Sequence, residues 1–268
     1  MAHDKTLISR DNRLNDLSAQ EWLRFTKTWF VHNPPPRKKN ETLHPAKYPE
    51  SLIEEFIRFF TKQGQVVFDP FLGTGSTLVA CQNTKRKGIG IELQDKYARI
   101  AEERVDPEQK VIIDDSSNIK EIWVKNDLPK IDFVITSPPY GPMLNKKGLV
   151  QGKREEQGLD TKYSEQEQDF GNILKYDIFI EKLVDLFAKT KEVMKIDAYA
   201  VVIIQNYRDG SEFKTLAWDF ATAMKKYFTL SGVKIWCQDN KTLYPYGYRY
   251  SFVPNVHHHE CLIFKKTQ

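Results

Sequence analysis

The chain has 268 residues, 40% of them hydrophobic and 28% charged, with a formal net charge of +4. That supplies the core of one large domain and excludes a disordered chain, while the mildly basic balance permits nucleic-acid binding without requiring it. Cys81, Cys237 and Cys261 are far apart and form no CxxC pair, which argues against a disulfide framework or a cysteine zinc site.

The first residues, MAHDKTLISRDNR, hold no apolar signal core, and no apolar run reaches the ~20 residues a membrane helix needs. The expectation is a cytoplasmic protein with no membrane partner. Residues 17–31 (LSAQEWLRFTKTWFV) carry Trp22, Phe25, Trp29 and Phe30 at helical spacing, with Ser18 as N-cap. That aromatic face is expected to pack on the main domain rather than to stack on bases. Residues 33–40 (NPPPRKKN) then form a stiff basic stretch, either a solvated connector or a phosphate-contacting strap.

From Ser51 onward helices and strands alternate. Helices are predicted at 51–60, 76–82, 96–104, 178–194 and 213–227. Strands are predicted at 65–68, 88–91, 111–113, 131–135, 199–204, 233–236 and 261–264. The alternation predicts a mainly parallel sheet covered by helices on both faces. Residues 141–172 break the rhythm: they are polar and lack apolar periodicity. So long a loop in a compact domain points to function, and its place suggests a substrate-facing role.

Two motifs sit at predicted strand ends. Residues 69–77 read DPFLGTGST. Gly73 and Gly75 let the backbone turn tightly, and Ser76 and Thr77 open a helix whose free N–H groups face the turn. The next strand ends in Glu92, placed to hold both hydroxyls of a ribose, and the one after ends in Asp114 and Asp115, where an adenine amine could donate. The turn lacks the GxGxxG pyrophosphate pattern. Asp69 ahead of the glycines suits a cationic amino-acid group instead. Together Asp69, Glu92 and Asp115 offer acceptors to the ammonium, ribose and adenine of S-adenosylmethionine.

Residues 136–140 read TSPPY. Pro138 and Pro139 stiffen the loop and remove two N–H donors, so it presents carbonyls. An exocyclic base amine is a poor nucleophile because its lone pair is delocalised into the ring. Acceptors on both its hydrogens, here the Ser137 hydroxyl and the Pro138 carbonyl, pull that lone pair out of conjugation. Tyr140 is placed to stack on the base, which has to leave its duplex to arrive there.

On these motifs the chain resembles the DNA amino-methyltransferases, which modify adenine N6 or cytosine N4. DPFLGTGST resembles their cofactor loop and TSPPY their catalytic tetrapeptide. Residues 44–49 (HPAKYP) resemble the segment that helps hold the methionine end of the cofactor, and residues 244–266 resemble their aromatic-rich closing segment. The resemblance implies a Rossmann-like α/β fold of seven mostly parallel strands with the last antiparallel. It implies a domain over 44–268, preceded by a helical extension and basic connector over 1–43, with target recognition over 141–172. The cofactor residues it implies, together with those read above, are His44, Pro45, Lys47, Asp69, Pro70, Phe71, Gly73, Gly75, Ser76, Thr77, Glu92, Leu93, Asp115 and Ser116. Ser137, Pro138, Pro139 and Tyr140 are the expected catalytic set. Ser at the first tetrapeptide position leans the target toward cytosine N4 over adenine N6. Double-stranded DNA is the expected partner, and a cognate restriction endonuclease a further one. RNA amino-methylation and a non-catalytic nucleic-acid-binding subunit stand as alternatives. No metal is expected, because a sulfonium methyl is already activated. The run His257–His259 has no partner at ligand spacing.

Overall fold

The structure, a computed structural model, describes residues 12–33, 48–141 and 168–268. The first part holds α1 (Ala19–Phe25), β1 (Trp29–Val31) and α2 (Glu50–Phe60). Then follow β2 (Val66–Asp69), α3 (Ser76–Asn83), β3 (Lys87–Glu92), α4 (Asp95–Arg104) and β4 (Lys110–Ile113). Next come α5 (Ile119–Lys125), β5 (Ile131–Thr136), α6 (Tyr176–Val193) and β6 (Met194–Ile204). The chain closes through β7 (Tyr207–Asp209), β8 (Glu212–Lys214), α7 (Leu216–Met224), β9 (Thr229–Cys237) and β10 (His258–Lys265).

The main sheet runs β1-β9-β10-β6-β5-β2-β3-β4. Strands β6, β5, β2, β3 and β4 are mutually parallel, and β10 is antiparallel to both neighbours. From β2 the chain winds out one way to β3 and β4, then returns to β5 and winds the other way. The strand order therefore reverses between β2 and β5, where open α/β sheets place their ligands.

The central strands are apolar because both faces are covered. On one face α2 buries Leu52, Ile53, Phe56, Ile57 and Phe60 against Phe133, Ile135, Val201 and Ile203. On the other, Phe179, Leu183, Leu186 and Phe187 of α6 pack with Phe220 of α7 against Phe68, Val134 and Val202.

The N-terminal segment departs from expectation. Ser18 does cap α1, in a capping box with Glu21. The helix stops at Phe25, where the Thr26 hydroxyl turns back to the Leu23 carbonyl at 2.7 Å. Trp29, Phe30 and Val31, residue types that favour strands, instead join β9 in parallel, as an eighth strand beside the expected seven. Trp22 and Phe25 pack on Phe59 with ring centroids 4.8 and 4.0 Å apart, and Phe30 packs on Phe56. Trp29 faces outward under Lys27. The buried Lys234 ammonium of β9 donates to the carbonyls of Phe25 and Lys27, tying the segment to the sheet.

Two further differences have local causes. The predicted helix over 213–227 begins only at Leu216, because the Asp209-Gly210 signal forms a hairpin between β7 and β8. Within Lys85-Arg86-Lys87, a stretch that reads as a solvated turn, Arg86 is buried and donates to Thr61 and to the Thr84 carbonyl. Among the described residues no helix is long and apolar enough to cross a membrane.

Phe56 sits at the centre of the α2 stripe and is 1% exposed. Phe56→Ala should cost about 3–5 kcal/mol by transfer and cavity terms, read as a lower urea midpoint with unchanged slope.

Candidate active site

The carboxyl ends of β2 and β5 stand side by side, with Phe68 paired to Val134. The last residue of β2, Asp69, is fully buried. One carboxylate oxygen accepts from the Thr136 hydroxyl at 2.6 Å and the Phe71 amide at 2.9 Å. The other accepts from the Tyr48 hydroxyl at 2.8 Å and the Thr77 hydroxyl at 2.5 Å. Burial raises the Asp69 pKa against the pull of these donors. The two motifs are thereby joined through one side chain.

After Asp69 the chain turns through Gly73 into Gly75, whose φ of 87° is left-handed. A Cβ on Gly75 would meet the Ala101 Cβ at 2.8 Å, so this N-cap of α3 requires glycine. The turn is stapled to the next strand. Leu72 donates to the Ile91 carbonyl at 3.0 Å, and Gly73 donates to Glu92 at 2.7 Å. The second Glu92 oxygen accepts from the Gln94 amide at 2.9 Å. Burial pushes the Glu92 pKa up to about 7 despite these two donors. Asp115 caps a short turn through Ser117, and the Ser116 hydroxyl donates to the Pro70 carbonyl.

These strand ends enclose a cavity of about 440 Å³. Pro70, Phe71, Gly73, Ser76, Glu92, Leu93, Asp115 and Ser116 line it, as do Ser137, Pro139 and Tyr140. Three of the predicted positions lie behind the wall. Asp69 and Thr77 are consumed by the buried network, so Asp69 holds the loop instead of facing a cationic ligand, and Gly75 shapes the turn. Pro138 is buried and does not contribute to the lining either. His44, Pro45 and Lys47 lie outside the described residues, as does 142–167 of the expected recognition loop. From the HPAKYP segment, Tyr48 reaches both the cavity and Asp69.

Tyr140 is buried, and its hydroxyl donates to the Ile203 carbonyl at 3.2 Å, 3.5 Å from the Ser137 hydroxyl. Burial raises its pKa, so it stays a neutral wall.

Further lining residues are not singled out in the sequence. Gln168, Asp169 and Phe170 enter from the return of the loop over 141–172 that is expected to face the substrate, with Phe170 edge-on to Phe71 at 5.1 Å. Gly141, where that loop departs, lies against the same return: a Cβ there would meet the Phe170 carbonyl at 2.4 Å. Gln94 lines the cavity, and among the described residues its buried Nε2 has no partner. At the far end stand Trp236, Gln238, Lys241 and His259. His259 stacks on Trp236 at 4.7 Å, and burial lowers its pKa to about 3, so it is neutral. Its contribution is invisible in the sequence because β10 reaches the cavity only by pairing with β9. The acids Glu92, Asp115 and Asp169 gather at the β3–β4 end, while Lys241 stands at the opposite end.

Residues 4–103 match the N6/N4 methyltransferase family, described as DNA methylase. The chain is 40% identical over 70 residues to type II methyltransferase M.HpaI of Haemophilus parainfluenzae, covering 26% of this chain and 22% of that enzyme. It is 33% identical over 117 residues to M.BglI of Bacillus subtilis, covering 44% and 32%. It is 44% identical over 62 residues to the orphan methyltransferase M.BamHII of Bacillus amyloliquefaciens, covering 23% of each. The matched stretch thus spans less than a third of each of these enzymes, and within it the chain is similar to DNA amino-methyltransferases.

Thr136→Val keeps shape and removes one donor from a buried carboxylate. It should lower stability by about 1–3 kcal/mol in urea unfolding, and Thr136→Ser should recover most of the loss.

Proposed function

We propose that the cavity binds S-adenosylmethionine at its acidic end and methylates an exocyclic amine of a DNA base held at Ser137–Tyr140. The observation that carries this reading is the single cavity: an acid-lined nucleoside slot and the amine-handling loop open into the same space, at the point where strand order reverses. The three carboxylates suit a cationic nucleoside and would repel a pyrophosphate. The unpartnered Gln94 donor beside Glu92 adds a group for a ribose or adenine acceptor.

When bound, the cofactor supplies an electrophilic sulfonium methyl. Glu92 holds the ribose hydroxyls, Asp115 accepts from the adenine amine, and Phe71 with Phe170 forms the apolar wall. Asp169 adds negative charge toward the cationic end. Ser137 accepts one hydrogen of the target amine, and the Pro138 carbonyl is assigned the other. Tyr140, fixed through Ile203, keeps the base plane in place. The rate then comes from positioning and from acceptors matched to the charge that develops on the amine nitrogen. Transfer of the methyl to that nitrogen would leave the cofactor as its neutral thioether, and the amine would give up one proton to solvent, passing it past its acceptors at Ser137 and the Pro138 carbonyl.

The finer assignment is cytosine N4, supported by Ser137 at the head of the tetrapeptide. The matching family's description, DNA methylase, supports DNA as substrate; its duplex form and a restriction endonuclease partner are further parts of the proposal.

Wild-type protein incubated with labelled S-adenosylmethionine and unmethylated DNA should yield N4-methylcytosine on nucleoside analysis. Ser137→Ala should lose turnover by about two orders of magnitude or more while still binding the cofactor. N6-methyladenine would overturn the base assignment, label only in RNA would overturn the substrate, and full activity of Ser137→Ala would overturn the mechanism.

The Glu92 pKa near 7 sets a pH dependence. Ribose hydroxyls donate to a carboxylate, so protonation weakens binding, and affinity should rise as pH increases from 6 to 8. The free protein should respond in the opposite sense. A raised carboxyl pKa favours the folded state when protonated, and that contribution is lost as pH rises from the ordinary carboxylate range through about 7. Calorimetric titration should find the binding slope in wild type and lose it in Glu92→Gln.

A further inference from the structure

The connection between β9 and β10 rises from the cavity rim. Gln238 and Lys241 at its start and His259 at its end line the cavity. Between them stand six exposed large side chains: Leu243, Tyr244, Tyr246, Tyr248, Tyr250 and Phe252. Tyr250 is 94% exposed and Phe252 87%. Apolar groups this concentrated and this open mark an interaction site.

The loop is built, not slack. Asn255 clips it by donating to the Tyr244 carbonyl at 2.9 Å and accepting from the Tyr244 amide at 3.0 Å. Tyr250 and Ser251 both donate to the Gly247 carbonyl at 2.9 Å. Gly247 has φ of 70°, and a Cβ there would meet the Ser251 carbonyl at 2.3 Å. Arg249 also has φ of 70°, a costly conformation for a residue with a side chain, and its guanidinium lies 5.3 Å from the Tyr248 ring. The surrounding turn therefore fixes which rings face outward.

The charge of the segment identifies its partner. From Asn240 to His259 there is no Asp or Glu, while Lys241 and Arg249 are cationic. Exposed aromatic rings around a cationic Arg249, on an acid-free loop that begins with Lys241 at the cavity, fit a polyanion that offers flat faces, which is a nucleic acid. Because the cavity takes a base that has left its stack, the same DNA must carry a vacancy beside the loop.

We propose that residues 243–252 form an aromatic wedge, led by Tyr250 and Phe252, that fills the gap left in duplex DNA when the target base enters the cavity. The wedge rests on the DNA substrate of the proposed reaction. Stacking on the orphaned partner base offsets the cost of extrusion, and Arg249 neutralises a flanking phosphate.

The test compares full-length wild type, Tyr250→Ala/Phe252→Ala and Arg249→Gln on an intact duplex and on the same duplex with a one-nucleoside abasic gap, across a salt series. Wild type should bind the gapped duplex more tightly. The double aromatic variant should lose roughly ten- to hundredfold in affinity for it and lose the preference, with an unchanged salt slope. Tyr250→Phe should retain both. Arg249→Gln should keep the preference and reduce the salt slope by about one unit. Urea midpoints and calorimetric titration with S-adenosylmethionine, unchanged in the loop variants, separate the wedge from folding and from the cofactor site. If wild type methylates DNA while the double variant binds both duplexes as wild type does, the wedge is overturned and the reaction stands. If wild type neither binds nor methylates DNA, both fall. If the double variant instead dissolves a dimer seen by sedimentation, or if wild type prefers single-stranded RNA to the gapped duplex, the surface serves another partner and the wedge is overturned.

Discussion

The buried carboxylate of Asp69 is the constraint on which the rest of the site depends. Four donors reach it from four segments: Tyr48 before α2, Phe71 in the glycine turn, Thr77 at the start of α3 and Thr136 at the end of β5. Taking a carboxylate out of water is costly unless its lone pairs are filled, and here the geometry fills them. Because the donors arrive from different parts of the chain, that cost can be offset only when all four segments are in register. The network therefore fixes the glycine turn relative to the tetrapeptide loop. A transfer reaction that depends on near-contact alignment needs this kind of rigidity.

Asp69 also marks the limit of what a sequence reading can carry. Its place at a strand tip was legible, and so were the turn, the helix that follows and the strand ending in Glu92, because these are local patterns with local causes. Its role was not, because Tyr48 and Thr136 approach from 21 residues before it and 67 after it. The same reason hides Trp236 and His259, and it hides that Asp169 and Phe170 are the residues by which the expected substrate-facing loop reaches the cavity. Each is brought to the cavity by strand pairing or by the return of a long loop, which no periodicity encodes. At the N-terminus, Trp22 to Phe30 has aromatic spacing compatible with one helix. The strand at Trp29–Val31 exists because β9 offers a free edge and Lys234 gathers the preceding carbonyls. The other seven strands were legible as short apolar runs; the inner parts of β5 and β6 are buried on both faces, whereas the edge strand β4 is half exposed and was marked by its Val111-Ile112-Ile113 run.

The two ends of the cavity differ in chemical character. At the β3–β4 end Glu92, Asp115 and Asp169 line the cavity, and repulsion from Asp169 and from the buried Asp69 adds to burial in raising the Glu92 pKa. A ligand with a cationic centre relieves that repulsion, so the empty site is electrostatically less favourable than the filled one. At the β9–β10 end, the Trp236–His259 stack is neutral and flat, with Lys241 beside it. A charged histidine would repel Lys241 and weaken an aromatic surface; burial prevents both. In the proposed reaction this division orients the substrates, since a cationic nucleoside is drawn to one end and a planar base to the other.

The same division bears on how a base could be held outside its helix. Extrusion gives up stacking on both sides of the base and pairing on its edge. In the proposed reaction Tyr140 would replace part of the lost stacking inside the cavity, but only for the base that moves. The strand left behind keeps its defect, which Tyr140 inside the cavity does not mend. A compensating surface has to stand at the rim, be rigid before contact and carry rings without acidic neighbours. The segment from Leu243 to Phe252 meets each condition. Its left-handed Arg249 is the kind of local strain that persists only where the fold imposes it. A loop shaped solely to connect β9 to β10 would relax that residue and cover those rings. Their continued exposure is explained if the contacts that bury them are made by the substrate.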